Sequence, residues 1–205
     1  MKTNKVAWFV FVFLSIALGL YPIVYFFTTR NLGLLYPRSD LISENILWNV
    51  GFYGHIFFHG LALLIGWCLF SQGVKNQYLK LVEKLRKIYF LAALVAGICN
   101  VGIGLFSEAG WIASFGFVLL GVAWLYTTYS AYAAYREKDL NLYNGMLIYS
   151  FAACFAAVTF RLWLPVLQFL LGDFRVAYTI VAWLCWVPNM FFASYIVKRK
   201  GIILG

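Results

Sequence analysis

Residues 88–106 read IYFLAALVAGICNVGIGLF, nineteen residues without one Asp, Glu, Lys or Arg. As a helix this stretch rises about 28 Å, close to the roughly 30 Å of hydrocarbon in a bilayer. It therefore reads as a transmembrane helix. Before it stands a basic connector, Val74–Lys87, carrying Lys75, Lys80, Lys84, Arg86 and Lys87. After it a tight turn, Ser107–Gly110, leads into a second apolar run, about Trp111–Tyr135. The pattern repeats in both directions. Apolar runs fall at about 6–27, 50–72, 146–171 and 174–197, with short polar breaks between them.

Composition agrees. The chain of 205 residues is 64% hydrophobic and 11% charged. A soluble domain is roughly 45–50% apolar and about 25% charged. The expected fold is all-α: a polytopic bundle of six transmembrane helices forming a single membrane domain over 1–205. The first run follows Lys2 and Lys5 and ends at Tyr25, Phe26 and Phe27. That ending resembles no signal cleavage site, so an uncleaved first span is expected. The long connection, Thr28–Asn49, holds Ser43 as a cap for a short interfacial helix at Glu44.

The net charge of +9 would raise nucleic acid as a partner in a soluble protein. Here the basic residues sit in the breaks and have no aromatic-interleaved patch outside the helices. They face lipid phosphates instead, and nucleic acid is excluded as a partner. With the N-terminus inside, the inner segments carry two, five, two and three Lys or Arg, and the outer segments two, none and one. Twelve against three places both termini in the cytoplasm and the protein in the cell inner (plasma) membrane.

Cys68, Cys99, Cys154 and Cys185 all lie inside apolar runs with no redox or zinc spacing, so they read as small packing residues. Tyr126, Tyr129, Tyr132 and Tyr135 form a stripe that matches an interfacial belt. Pro188 frees a backbone carbonyl in the last span, and Asn189 can compensate, which predicts a kink there.

The functional leads are the polar residues that hydrocarbon should reject. His55 and His59, the only histidines, stand one turn apart on one helix face. Arg161 lies about 15 Å from the outer end of the fifth span by helical rise. Glu108 sits at the outer turn, and Asn100 and Gln168 lie along the third and fifth spans. Tyr53 and Trp163 fall near the same levels. If the second, third and fifth spans are neighbours, these groups line an outward-facing polar cavity.

Three chemistries fit them. In the first, Arg161 clamps the phosphate or carboxylate of a small anionic or lipid-like ligand, with His55 as hydrogen-bond partner or proton carrier. In the second, His55 and His59 hold a metal ion, with Glu108 as an oxygen ligand. The stretch His55-Ile56-Phe57-Phe58-His59 lacks the glutamate of the zinc-protease motif, so that motif is absent. The third is a single haem, with Met146 or Met190 opposite a histidine, or a quinone beside it. His55 and His59 point the same way from one helix, so they do not easily form an axial pair. The structural alternative is plain: His59 bridges to a neighbouring helix, and Arg161 snorkels or pairs with Glu108. An accessory subunit without catalysis, or an oligomer packed on its glycines, also fits. Whether there is a reaction at all is left open.

The chain resembles a family of bacterial predicted membrane proteins with a domain of unknown function. The matching stretches are His55–Gly66 (HIFFHGLALLIG) with Phe70, Leu105 with Gly110, Trp124-Leu-Tyr-Thr-Thr, Ala156–Arg161 followed by Leu164-Pro165, and Val181–Trp183 through Pro188-Asn189. The resemblance implies the fold and topology, and places His55 and Arg161 at characteristic family positions. It implies no reaction. In the family the second connector often carries a His-Arg pair and then Gly-Arg-Tyr; here it reads Glu83-Lys84-Leu85-Arg86-Lys87-Ile88-Tyr89. The hinge before the fifth span, Asn141–Met146, likewise lacks the family's histidine. A role that needs histidines on the cytoplasmic side, such as a second haem, loses its support.

Overall fold

A computed structural model describes residues 5–23, 46–107 and 109–202. Among them every regular element is helical. The elements are α1 (Lys5–Leu20), α2 (Ile46–Gly66) continued by a 3-10 turn (Trp67–Phe70), α3 (Gln72–Gln77), α4 (Leu79–Gly104) and α5 (Trp111–Arg136). Then follow α6 (Leu140–Cys154), α7 (Ala156–Leu171), α8 (Phe174–Leu184) and α9 (Val187–Arg199).

Five stretches are long and apolar enough to cross a membrane: Ile46–Phe70, Leu79–Gly104, Trp111–Arg136, Leu140–Leu171 and Phe174–Arg199. The first expected span is represented by α1, whose described helix is 16 residues long. Its expected end at 24–27, and the interfacial helix at Ser43–Glu44, lie outside the described residues.

Two connectors are shorter than the sequence predicted. The basic connector was expected to run to Lys87, but α4 already begins at Leu79. Val82, 2% exposed, packs into the core from that extension while the lysines point outward. The polar hinge expected at 136–144 shrinks to the turn between α5 and α6. Lys138 takes the left-handed conformation there (φ 63°). Asp139 caps α6, its carboxylate accepting from the Asn141 and Leu142 amides at 3.0 and 2.9 Å. A capping carboxylate at a helix start satisfies otherwise unpaired donors and favours the positive end of the helix dipole.

The last two spans are each divided, the fifth without a break expected there and the sixth with the kink expected at Pro188. One interruption falls at Phe155 and the other at Cys185–Trp186, just before Pro188. The second is the kink that Pro188 predicts. Asn189 compensates as expected: its amide donates to the carbonyls of Cys185 (2.9 Å) and Ala152 (3.3 Å) and to Thr159 Oγ1 (3.1 Å). Thr159 Oγ1 also donates to the Cys185 carbonyl. Pro165, by contrast, sits inside an unbroken α7.

The helices pack as α1–α2–α4–α5–α6 in succession; α8 joins α5 and α7, and α9 leans on α6. Lipid gives no hydrophobic reason for helices to associate, so close approach and internal hydrogen bonds hold them. Small residues provide the approach. A Cβ on Gly66 would stand 2.1 Å from the Phe151 ring, and one on Gly60 would stand 2.7 Å from the Gly19 carbonyl. Internal hydroxyls provide bonds. Tyr89 and Thr128 meet at Ser150, at 2.8 and 2.7 Å, all three fully buried.

The tyrosine stripe divides. Tyr126, Tyr129 and Tyr132 are exposed, as a belt requires. Tyr135 turns inward, 4.3 Å beneath the Arg86 guanidinium, which also donates to the Tyr143 hydroxyl.

Candidate functional site

α2 and α4 are closely packed, as the site requires, and α7 faces them across a cavity of about 420 Å³. The cavity is closed on one side by Leu18 and Pro22 beside α1 and on the other by Phe117 and Leu120 of α5. It runs from the turns at 105–110 and 172–174 down to His59.

Four of the six predicted site residues line it: His55, His59, Asn100 and Arg161. Gln168 does not. It is exposed, seven residues or about two turns beyond Arg161, the last residue of α7 that lines the cavity. Glu108 lies outside the described residues. Tyr53 packs with Trp48 and Phe52, and Trp163 is exposed.

The two histidines form a hydrogen-bonded chain between helices. His55 Nδ1 donates to the Ala96 carbonyl of α4 at 3.0 Å. His55 Nε2 and His59 Nδ1 lie 3.2 Å apart. His59 Nε2 donates to the Cys154 carbonyl of α6 at 2.7 Å. The carbonyl at the end of α6 is open to a side chain because Phe155 interrupts the helix there. The expectation that His59 bridges to a neighbouring helix is therefore met. The Trp124 ring lies 4.6 Å from that of His59.

Arg161 is held from two sides. Its Nη1 donates to the Ala157 carbonyl one turn back at 3.0 Å, and its Cζ lies 4.7 Å over the Tyr21 ring. It interacts electrostatically with both histidines. Asn100 spends its amide on the Phe117 carbonyl at 2.9 Å, which ties α4 to α5 beside the cavity.

The structure adds lining residues that the sequence did not single out: Ser107, Asp173, Arg175, Tyr178 and Cys185. Asp173 accepts from the Val176 amide at 3.0 Å and so caps α8 at the cavity mouth. An Asp immediately before an apolar run is a readable cap, but only the folded packing of α8 on α5 brings it to the cavity.

Among the described residues no three His, Cys, Asp or Glu side chains gather as metal ligands, and Glu108, the oxygen ligand of the metal reading, lies outside those residues. His55 Nδ1 and His59 Nε2 are taken by carbonyls, and His55 Nε2 and His59 Nδ1 face each other at 3.2 Å. Met146 and Met190 pack against the core and do not line the cavity.

The fold and site define a multi-pass helical membrane protein with a largely apolar cavity inside the bundle, into which a few polar side chains reach. The chain belongs to the family described as "Predicted membrane protein (DUF2306)", whose model matches residues 52–197. No curated protein and no solved structure matches it.

Proposed function

We propose that this protein binds a small molecule with an anionic head and an apolar body in the cavity between α2, α4 and α7. The observation that supports this best is Arg161, a positioned guanidinium on the wall of an otherwise largely apolar cavity. Guanidinium donors in a fixed plane suit phosphate, sulfate or carboxylate groups. The volume falls in the range of roughly 300–1,000 Å³ usual for small-molecule sites. Phe52, Ile56, Leu63 and Phe160 supply the apolar lining.

The excess of basic residues on one set of segments supports six spans in an inner (plasma) membrane, with both termini in the cytoplasm. In that orientation the cavity opens outward. The site would then face molecules of the outer leaflet or of the space beyond it.

The test is ligand retention. Protein purified in mild detergent is extracted, and the extract is analysed by mass spectrometry for bound anionic amphiphiles. Arg161→Ala should purify at near-normal yield and lose them; Arg161→Lys, with charge but no planar fork, should weaken binding about tenfold. Retention by Arg161→Ala, or its aggregation, makes Arg161 structural. A Soret band in freshly purified protein would turn the reading toward haem.

A further inference from the structure

The histidine chain poses a proton count. It contains three hydrogen bonds in series: Ala96 carbonyl to His55, His55 to His59, and His59 to the Cys154 carbonyl. Both ends are carbonyls, which only accept. Every bond needs a proton, so the chain needs three. Two neutral imidazoles carry two N–H protons between them. No choice of tautomers alters the total. Either one of the three contacts sets lone pair against lone pair, or the pair holds a third proton and one positive charge.

That charge would stand in the cavity wall with Arg161, which interacts with both rings. Two cations in a low-dielectric site repel strongly. The empty site therefore favours the neutral pair with one bond unmade. An anion in the cavity reverses the balance, because it offsets the repulsion and lets the third bond form. The Trp124 ring beside His59 adds a face that attracts an imidazolium.

The other groups around the pair do not supply this charge balance. Tyr21 lies beside α1, Cys99 is on α4, Cys154 on α6, and Tyr178 and Cys185 are on α8; α5 offers only Trp124. At the mouth stand Arg175 and Asp173. Asp173 is the one carboxylate among the described residues lining the cavity, and its oxygen is engaged in capping α8.

We propose that the His55–His59 pair takes up one proton from water for each anion bound at Arg161, so that this cavity is a proton-coupled anion site. The proposal rests on the ligand-binding reading and adds the coupling. It makes binding pH-dependent in a defined sense. The bound state holds one more proton than the empty state, so affinity falls as pH rises, by about tenfold per pH unit where the empty pair is neutral and the bound pair charged.

Octyl sulfate is a suitable probe because its charge is fixed, so any proton taken up belongs to the protein. Calorimetry in buffers of different ionisation enthalpy should give close to one proton bound per octyl sulfate. Labelling with 15N-histidine reports only this pair, since the chain has two histidines. Ring-nitrogen shifts should count two protonated nitrogens in the empty protein and three with the probe bound. His59→Gln should bind octyl sulfate with no proton uptake and a flat pH profile. If that variant does not fold, the wild-type proton count decides. Inorganic sulfate serves as the second arm: equal binding assigns the site to free anions, weaker binding to amphiphiles, and either supports the coupling if one proton follows. Binding with no proton uptake and two protonated nitrogens overturns the coupling and leaves the ligand site standing. Binding of neither probe overturns both.

Discussion

Arg161 is the cation that the inner and outer segments leave over. Fifteen of the chain's sixteen Lys and Arg fall in the predicted breaks and termini. That is why it, His55, His59 and Asn100 were legible: an ionisable or amide side chain within an apolar run stands out without any structure. Gln168 stood out equally but is exposed: it shares nearly the same face of α7 as Arg161, seven residues further on, beyond the stretch of the helix that lines the cavity. Asn189 belongs to the same polar class, and its role was readable from Pro188 beside it. Its amide satisfies carbonyls at the break between α8 and α9 and reaches α6 and α7 as well. Asn189→Leu should lower stability in detergent by about 0.6–1.7 kcal/mol, the range of interhelical polar contacts in membranes. A thermal or denaturant unfolding series would check this, and an unchanged midpoint would show those bonds to be redundant.

At the scale of the helix, hydropathy located the spans but not their ends or interruptions. The break at Cys185 was readable from Pro188, but the one at Phe155 falls inside uninterrupted apolar sequence. Phe155 has no proline or glycine beside it, so nothing local marks it. The groups beside the break are taken up by tertiary contacts: the Cys154 carbonyl accepts from His59, and the Thr159 hydroxyl donates to the Cys185 carbonyl. The glycines of α2 were legible as places of close approach, and Gly60 and Gly66 serve that purpose. Gly60→Leu should part α1 from α2, since a Cβ there already meets the Gly19 backbone and the Pro22 ring. The expected loss is about 1–3 kcal/mol, as for other overpacked positions. Gly102, with nothing within 4 Å of a built Cβ, is the contrast. Gly102→Ala should be neutral or stabilising by up to ~1 kcal/mol through helix propensity. Equal losses at both positions would show that crowding at Gly60 is not what matters.

For the molecule as a whole, the proposed orientation rests on charge asymmetry. Lys75, Arg86 and Lys200 interact across α3, α4 and the end of α9, gathering positive charge at the bundle end away from the cavity mouth. Burial, and then those like charges, push the Lys75 ammonium below its ordinary range. Phosphates of the inner leaflet would relieve that crowding. Thiol labelling of intact cells tests the orientation. Phe106→Cys, an exposed position at the cavity mouth, should react with a membrane-impermeant maleimide. Lys80→Cys should react only after permeabilisation. The four native cysteines lie within apolar stretches and should stay silent. The reverse pattern would invert the bundle and turn the cavity toward the cytoplasm.

The family match begins at residue 52, so α1 falls outside it. Yet Leu18 and Pro22 form one wall of the cavity, and the Tyr21 ring lies under the Arg161 guanidinium. The shared segment thus supplies the charged floor and three sides, while a separate piece of chain supplies the fourth. On the proposed binding, substitutions at Leu18 or Pro22 would reshape the space left for an apolar tail, whereas one at Tyr21 would also loosen the guanidinium that grips the head.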